Sequence, residues 1–344
     1  MPGVAENALE LANTQSYLTE DQNILINIET TASCRFTKRC GGHCILNMVN
    51  SKAREPMSHE MMLQIAEEIF SSPHSRRIRH VGAVGKEVLD APALLLEIAR
   101  LWHRTPSFRR PGTLGMISAA AEPMNKFASS FAENPLSWVN ISIDSTAVDL
   151  RTQANAEPLL ASALHIRKVG GVQAVGVNTL LSRGNLDQVI EIGRRMERAG
   201  VDQWSIGPFI APRNGRMEPV AETADFRRAI DRVMAEFADS PMNILFEMDY
   251  AELLALVGDE ARLRDGRNRW RHEYPVSRSL KLIATNPRAG FFLRVRWDGE
   301  LLAKHDFRTI GLEHGRYGSY HPGRITELLE QFANQATAKV MENV

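Results

Sequence analysis

The chain has 344 residues, 44% of them hydrophobic and 24% charged, a composition that suits a globular protein with one large core or two ordinary ones. Lysine plus arginine equals aspartate plus glutamate at 41 each, so no global field favours nucleic acid or an anionic membrane. The first residues, MPGVAENALELANTQ, lack the cationic and apolar regions of a signal peptide, and no apolar run approaches the length of a membrane span.

Residues 1–19 read as a loose polar arm. Asn23 to Glu29 is the first strand, with its apolar run at Ile24 to Ile28. A loop follows that holds all three cysteines of the protein, Cys34, Cys40 and Cys44, with gaps of five residues and then three. A disulfide pair would leave one thiol over, and sparse cysteine in this context suits a reducing, cytoplasmic compartment. Three crowded thiols are compatible with an iron–sulfur cubane that keeps one iron open, with zinc, or with unrelated buried cysteines.

Beyond the loop, strands and helices alternate. Ser58 caps a helix with Met61, Ile65, Ile69 and Phe70 on one face. Ile78 to Val84 is a strand that runs into Gly85, Lys86 and Glu87. Asp90 opens the next helix, with Pro92 tolerated in its first turn and Leu95, Ile98 and Leu101 apolar. Thr113 to Ala119, Trp138 to Ile143, Gln173 to Leu181, Gln203 to Phe209 and Asn243 to Met248 are further strands. The helices between them run over Pro123 to Glu133, Glu157 to Val169, from Asn185 as cap to Gly200, and from Thr223 as cap. Such alternation predicts an α/β fold with a parallel sheet, curled or open. After Asp249 the pattern changes. Ala261 to Arg271 is charged and reads as a solvated stretch. Asp298-Gly299 marks a hairpin between Phe291–Trp297 and Glu300–Phe307. Arg324 to Met341 is a closing amphipathic helix.

With the cysteine loop placed directly after strand one of a β/α array, the chain resembles the radical S-adenosylmethionine (radical SAM) superfamily over roughly residues 20–250. The second strand ends in Gly85-Lys86-Glu87-Val88, where that family carries a Gly-Gly-Glu-Pro type sequence. The fourth ends in Ser142-Ile143-Asp144, like the family's Ser-x-Asp pattern. Asn185 and the run Ala199 to Asp202 are similar as well. The departures are the longer cysteine gaps and the replacement of the second Gly and the Pro by Lys86 and Val88.

The resemblance implies a partial (β/α)6 TIM-like barrel over 20–250 with a small α+β appendage over 251–344. It implies one [4Fe-4S] cluster on Cys34, Cys40 and Cys44 and S-adenosylmethionine as cofactor. An external electron donor of flavodoxin or ferredoxin type would feed the cluster. Cleavage of S-adenosylmethionine would give a 5′-deoxyadenosyl radical that abstracts hydrogen from substrate. The cofactor contacts it implies are Gly85, Lys86, Glu87 (towards the methionine ammonium), Ser142, Asp144, Asn178 and His43 (on the adenine). Each has a plainer alternative: Glu87 as a helix-start charge, Asn178 and Ser142 as backbone partners, Asp144 as a loop start, His43 and Lys86 as solvated residues.

Many relatives bind auxiliary clusters through cysteines in the C-terminal extension, but no fourth cysteine exists here. One cluster therefore points to redox-neutral chemistry or to quenching by a side chain. Candidates at the substrate end are Glu247, Asp249, Lys304, His305, Tyr317 and Tyr320. A small molecule is the favoured substrate, a sugar, nucleoside or other specialised-metabolite intermediate. The competing readings are a zinc-binding β/α protein, a degenerate non-catalytic member, and an RNA-modifying member.

Overall fold

The computed structural model describes residues 24–36, 55–146, 155–208, 210–213, 216–219, 223–248, 250–265, 271–285, 291–302 and 316–341. Strands β1 (Ile24–Glu29), β2 (Ile78–Val84), β3 (Thr113–Ser118), β4 (Leu136–Ser142), β5 (Val172–Leu181) and β6 (Gln203–Pro208) alternate with helices. These are α1 (His59–Ser71), α2 (Pro92–Arg104), α3 (Ala121–Glu133), α4 (Ala156–Lys168) and α5 (Val189–Arg198). A hairpin, β7 (Ile210–Arg213) with β8 (Arg216–Pro219), precedes α6 (Thr223–Glu236), β9 (Asn243–Met248) and α7 (Tyr250–Val257). Then come β10 (Arg264–Asp265), β11 (Arg271–Pro275), β12 (Leu280–Thr285), β13 (Phe291–Val295), β14 (Glu300–Leu302), β15 (Arg316–Ser319) and α8 (Arg324–Met341).

Apart from the hairpin, these strands form one sheet, ordered β10-β11-β12-β9-β6-β5-β4-β3-β2-β1-β13-β14-β15. Every neighbouring pair from β12 through β1 to β13 is parallel. The sheet is not closed: β10 and β15 are its edges. The fold is thus the expected α/β partial barrel, and residues after 250 add strands to both sides of it. The hairpin at Asp298-Gly299 forms as expected, with Gly299 at a φ of 83° that favours glycine. Among the described residues no helix is long and apolar enough to cross a membrane.

The core lies between the sheet and the helices, because alternate strand positions carry large apolar side chains towards the helical layer. Trp204 of β6 meets Phe237 edge-on, and Phe246 of β9 meets Phe226 of α6 in the same way. Two helix readings are corrected. In α1 the buried residue is Met62, whereas Met61 is 39% exposed. Asn185 does not cap α5, which begins four residues later. Its side chain is fully buried and donates to the carbonyls of Asp144 and Leu180.

The opposite, inner face of the sheet is built differently. Trp138 of β4 lies flat over Gly115 of β3, and Asn140 lies over Gly176 of β5. A methyl group on either glycine would overlap the side chain above it. Gly82 of β2 is covered in the same way by Asn27 of β1, whose Oδ1 lies 2.8 Å from where a Cβ would stand. We therefore expect Gly115→Ala to cost about 1–3 kcal/mol through overpacking. Chemical denaturation measures this, and an unchanged midpoint would contradict the account.

Candidate functional site

Loops at the carboxyl ends of parallel strands are where α/β folds build ligand sites. Cys34 stands five residues beyond the end of β1 and is half-buried against the core, with Phe36 buried beside it. Gly85, at the end of β2, has a φ of 120°, and a Cβ there would stand 3.1 Å from the Cβ of Glu29. Glycine is required at that crossing for both reasons.

Glu87 is 1% exposed. Its Oε1 accepts from the Leu89 amide at 3.0 Å and the Ser118 hydroxyl at 2.7 Å, and its Oε2 from the Ala119 amide at 2.9 Å. Burial pushes its carboxyl above the ordinary range, against the opposing pull of those hydrogen bonds. The carboxylate expected to reach the methionine ammonium is thus engaged in tying the end of β2 to the end of β3. Asp90 continues the lacing. Its Oδ2 accepts from the Arg35 amide at 2.7 Å and its Oδ1 from Arg35 Nε at 2.6 Å.

The inner face of the sheet opens beyond these loops. Ser142 and Asn178 are direct cross-strand partners, and Asn178 in turn faces Ser205. All share their strands' inner positions with Asn140 and Gly176, by the two-residue alternation. Asn27, Trp138, Asn140, Ser142 and Asn178 are half-buried, and Glu247 of β9 is exposed, its Cβ lying 3.8 Å from where a Cβ on Gly207 would stand. Among the described residues, three basic side chains here are matched by acids. Arg294 holds Glu29 at 2.6 Å, Arg296 holds Asp298 at 3.1 Å and reaches Glu300, and Lys281 lies 3.5 Å from Glu273. A separate cleft of about 240 Å³ opens between Arg35–Phe36, the start of α3 at Ala121–Pro123 and the start of α4 near Asn155.

Packing engages three of the expected residues. Asp144 is 3% exposed and accepts from the Leu180 amide at 2.7 Å, so it joins the ends of β4 and β5. Tyr320 is 8% exposed and donates to Glu68 of α1 at 2.8 Å. The same Glu68 carboxylate accepts from the Gly323 and Ile325 amides at the start of α8. Burial first, then the Glu68 contact, raises the Tyr320 hydroxyl far above its ordinary range. Tyr317 tilts against Phe332 of α8, and burial pushes its hydroxyl up as well. Both tyrosines therefore pack where α8 meets the sheet. Lys86 is half-buried with its Nζ 5.8 Å above the Trp297 ring. Cys40, Cys44, His43, Asp249, Lys304 and His305 lie outside the described residues.

Sequence reasoning missed Asn27, Trp138 and Asn140, the Glu29–Arg294 pair, and Asp90 as a partner of the cysteine loop. A signal existed for the strand residues. An amide, an acid or a tryptophan at alternate positions of an otherwise apolar strand marks the face that does not meet the helices.

Among the described residues no three His, Cys, Asp or Glu side chains converge to hold a metal ion, and two of the three cysteines lie beyond them. The donor set itself fits a cubane: three thiols within eleven residues, with the first at the strand end where the sheet opens. No family model matches the chain, and no curated protein matches it in sequence. In structure it is similar to Streptococcus suis SuiB bound to S-adenosylmethionine, at 13% identity and a TM-score of 0.63 over 94% of this chain and 68% of that one. It is also similar to anSMEcpe with bound AdoMet and the Cp18Cys peptide, at 11% identity and a TM-score of 0.57 over 90% and 79% of the two chains. Methylornithine synthase (PylB) matches at 11% identity and a TM-score of 0.50, over 96% and 87%. Likeness at such identity is likeness of fold.

Proposed function

We infer that this chain, which has the fold of the radical SAM enzymes, is itself such an enzyme. The observation that carries the reading is the cysteine loop at the carboxyl end of β1, in a parallel partial barrel whose inner face is open and polar. Cys34, Cys40 and Cys44 would hold one [4Fe-4S] cluster, with S-adenosylmethionine as its partner and an external flavodoxin- or ferredoxin-type donor. When bound, these groups supply abstraction of a hydrogen atom from an unactivated carbon of the substrate.

The chain's own residues bind, orient and shield. Glu87 and Asp144 hold the ends of β2 to β3 and of β4 to β5, so the mouth of the barrel keeps its shape. Ser142 and Asn178, paired at the carboxyl ends of β4 and β5, would contact the cofactor's carboxylate or ribose. Deeper in, Asn27, Trp138 and Asn140 offer amides and an aromatic plane. Among the described residues, Glu247 is an acid–base candidate on this face. With Arg294, Arg296 and Lys281 each matched by an acid among the described residues, a substrate with hydroxyl or amide groups is favoured over a phosphate or carboxylate. A sugar or nucleoside fits that description. A peptide is the second reading, since SuiB is also seen bound to its precursor peptide SuiA and anSMEcpe to the Cp18Cys peptide, and peptides present amides too. The balanced charge of the chain speaks against RNA.

The test is anaerobic reconstitution with iron and sulfide, then reduction with S-adenosylmethionine present. We expect a four-iron cluster by analysis and EPR, and 5′-deoxyadenosine by chromatography. Stoichiometric zinc with no cluster, or intact S-adenosylmethionine beside a complete cluster, would overturn the reading. Faster turnover with a panel of neutral sugars and nucleosides supports the small-molecule class, whereas stimulation only by peptides supports the second.

A further inference from the structure

We propose that Asp90 is a positioning residue that clamps the first cysteine of the loop, so that the ends of β1, β2 and β3 hold Cys34 as one unit. This rests on the radical reading above for the cluster, but the clamp itself is drawn from hydrogen bonds of this chain. Twenty-nine residues separate β1 from α1, running from Thr30 to Ser58, and an untethered connection of that length has a large conformational entropy to lose. The structure provides a tether at the start of it. Asp90 takes the Arg35 amide on one oxygen and Arg35 Nε on the other, at 2.7 and 2.6 Å. The amide is that of the peptide bond leaving Cys34, so the fork sets both the position and the rotation of the backbone that carries the thiol. Arg35 Nη2 also approaches the Leu89 carbonyl at 3.5 Å. The Asp90 side chain is only 11% exposed, which strengthens charge-assisted bonds of this kind.

Asp90 is itself held. Its amide donates to the Glu87 carbonyl at 3.0 Å, and the Glu87 carboxylate is bonded to Ser118 and Ala119 at the end of β3. The line of bonds therefore runs from Ala119 through Glu87 and Asp90 to Arg35, and so to the residue beside it, Cys34. Phe36, 7% exposed in the core, pins the chain on the far side. A cluster ligand displaced by even a fraction of a bond length loosens iron, because thiolate coordination depends on fixed geometry.

The experiment follows iron release to an added chelator from anaerobically reconstituted protein, read by the loss of visible absorbance. Asp90→Ala is expected to accelerate release about tenfold, the loss of two charge-assisted bonds. Asp90→Asn keeps an acceptor for the Arg35 amide and is expected to restore most of the wild-type lifetime. Arg35→Ala should fall between them, and the double variant should match Asp90→Ala alone, since both act on one clamp. The melting temperature of the cluster-free protein should stay within about 2 °C in all four. Wild-type release from Asp90→Ala would overturn the clamp, as would fast release accompanied by a matching fall in that melting temperature. Failure of the wild-type chain to take up iron would instead overturn the radical reading.

Discussion

Alanine at Cys34, Cys40 or Cys44 is expected to abolish formation of 5′-deoxyadenosine, with a fall of at least about 10³-fold, the scale of losing an essential activating group. A three-thiolate site that loses one ligand cannot keep both a complete cubane and an open iron, so iron and sulfide content should fall together with activity. The three variants should behave alike, because the site requires each ligand equally. Among the described residues of the cysteine loop, Phe36 enters the core and Cys34 is only half-buried against it, so the cluster-free Cys34 variant should unfold close to wild type in denaturant. Retention of a four-iron spectrum and of turnover in any one of them would remove that cysteine from the ligand set. Retention in all would end the cluster assignment.

The second large effect is on stability. Arg294→Ala should destabilise the chain by about 3–5 kcal/mol, because it strands the Glu29 carboxylate where it is 4% exposed. Arg294 reaches Glu29 Oε1 through both Nε at 2.7 Å and Nη2 at 2.6 Å, a forked contact that lysine could not reproduce. The pair joins β13 to β1, strands that are parallel neighbours but more than 260 residues apart in sequence. Glu29→Met combined with Arg294→Met should recover much of the loss, since an apolar replacement of a buried pair is often neutral. Equilibrium denaturation of the two variants decides it. A single-variant loss below about 1 kcal/mol would mean that water reaches the pair and the contact is a surface one.

Local patterns carried well where one layer of packing decides the element. β2 runs from Ile78 to Val84 and α8 from Arg324 to Met341, as read from periodicity, and the Ser58 cap accepts from the Met61 amide. Boundaries slipped where a polar side chain turned inward. Asn185 has the look of a cap, yet its amide is buried between two strand ends, and the helix starts four residues on at Val189. Asp144 and Glu87 show the same effect at the site. An acid at a strand end is legible as an acid, but whether it meets a ligand or a neighbouring amide depends on chain brought in from elsewhere.

Sequence by itself determined the α/β alternation, the limit of one three-cysteine cluster, and the strand-end positions where chemistry would gather. Each is a property of spacing or of count, and neither changes on folding. Tertiary structure alone decided that residues after 250 would extend the sheet at both edges, that Tyr317 and Tyr320 would fasten α8, and that Asp90 would reach across to Arg35. These depend on which distant segments become neighbours. A carboxylate takes whichever donor is nearest once water is excluded, and that donor is named only by the packing.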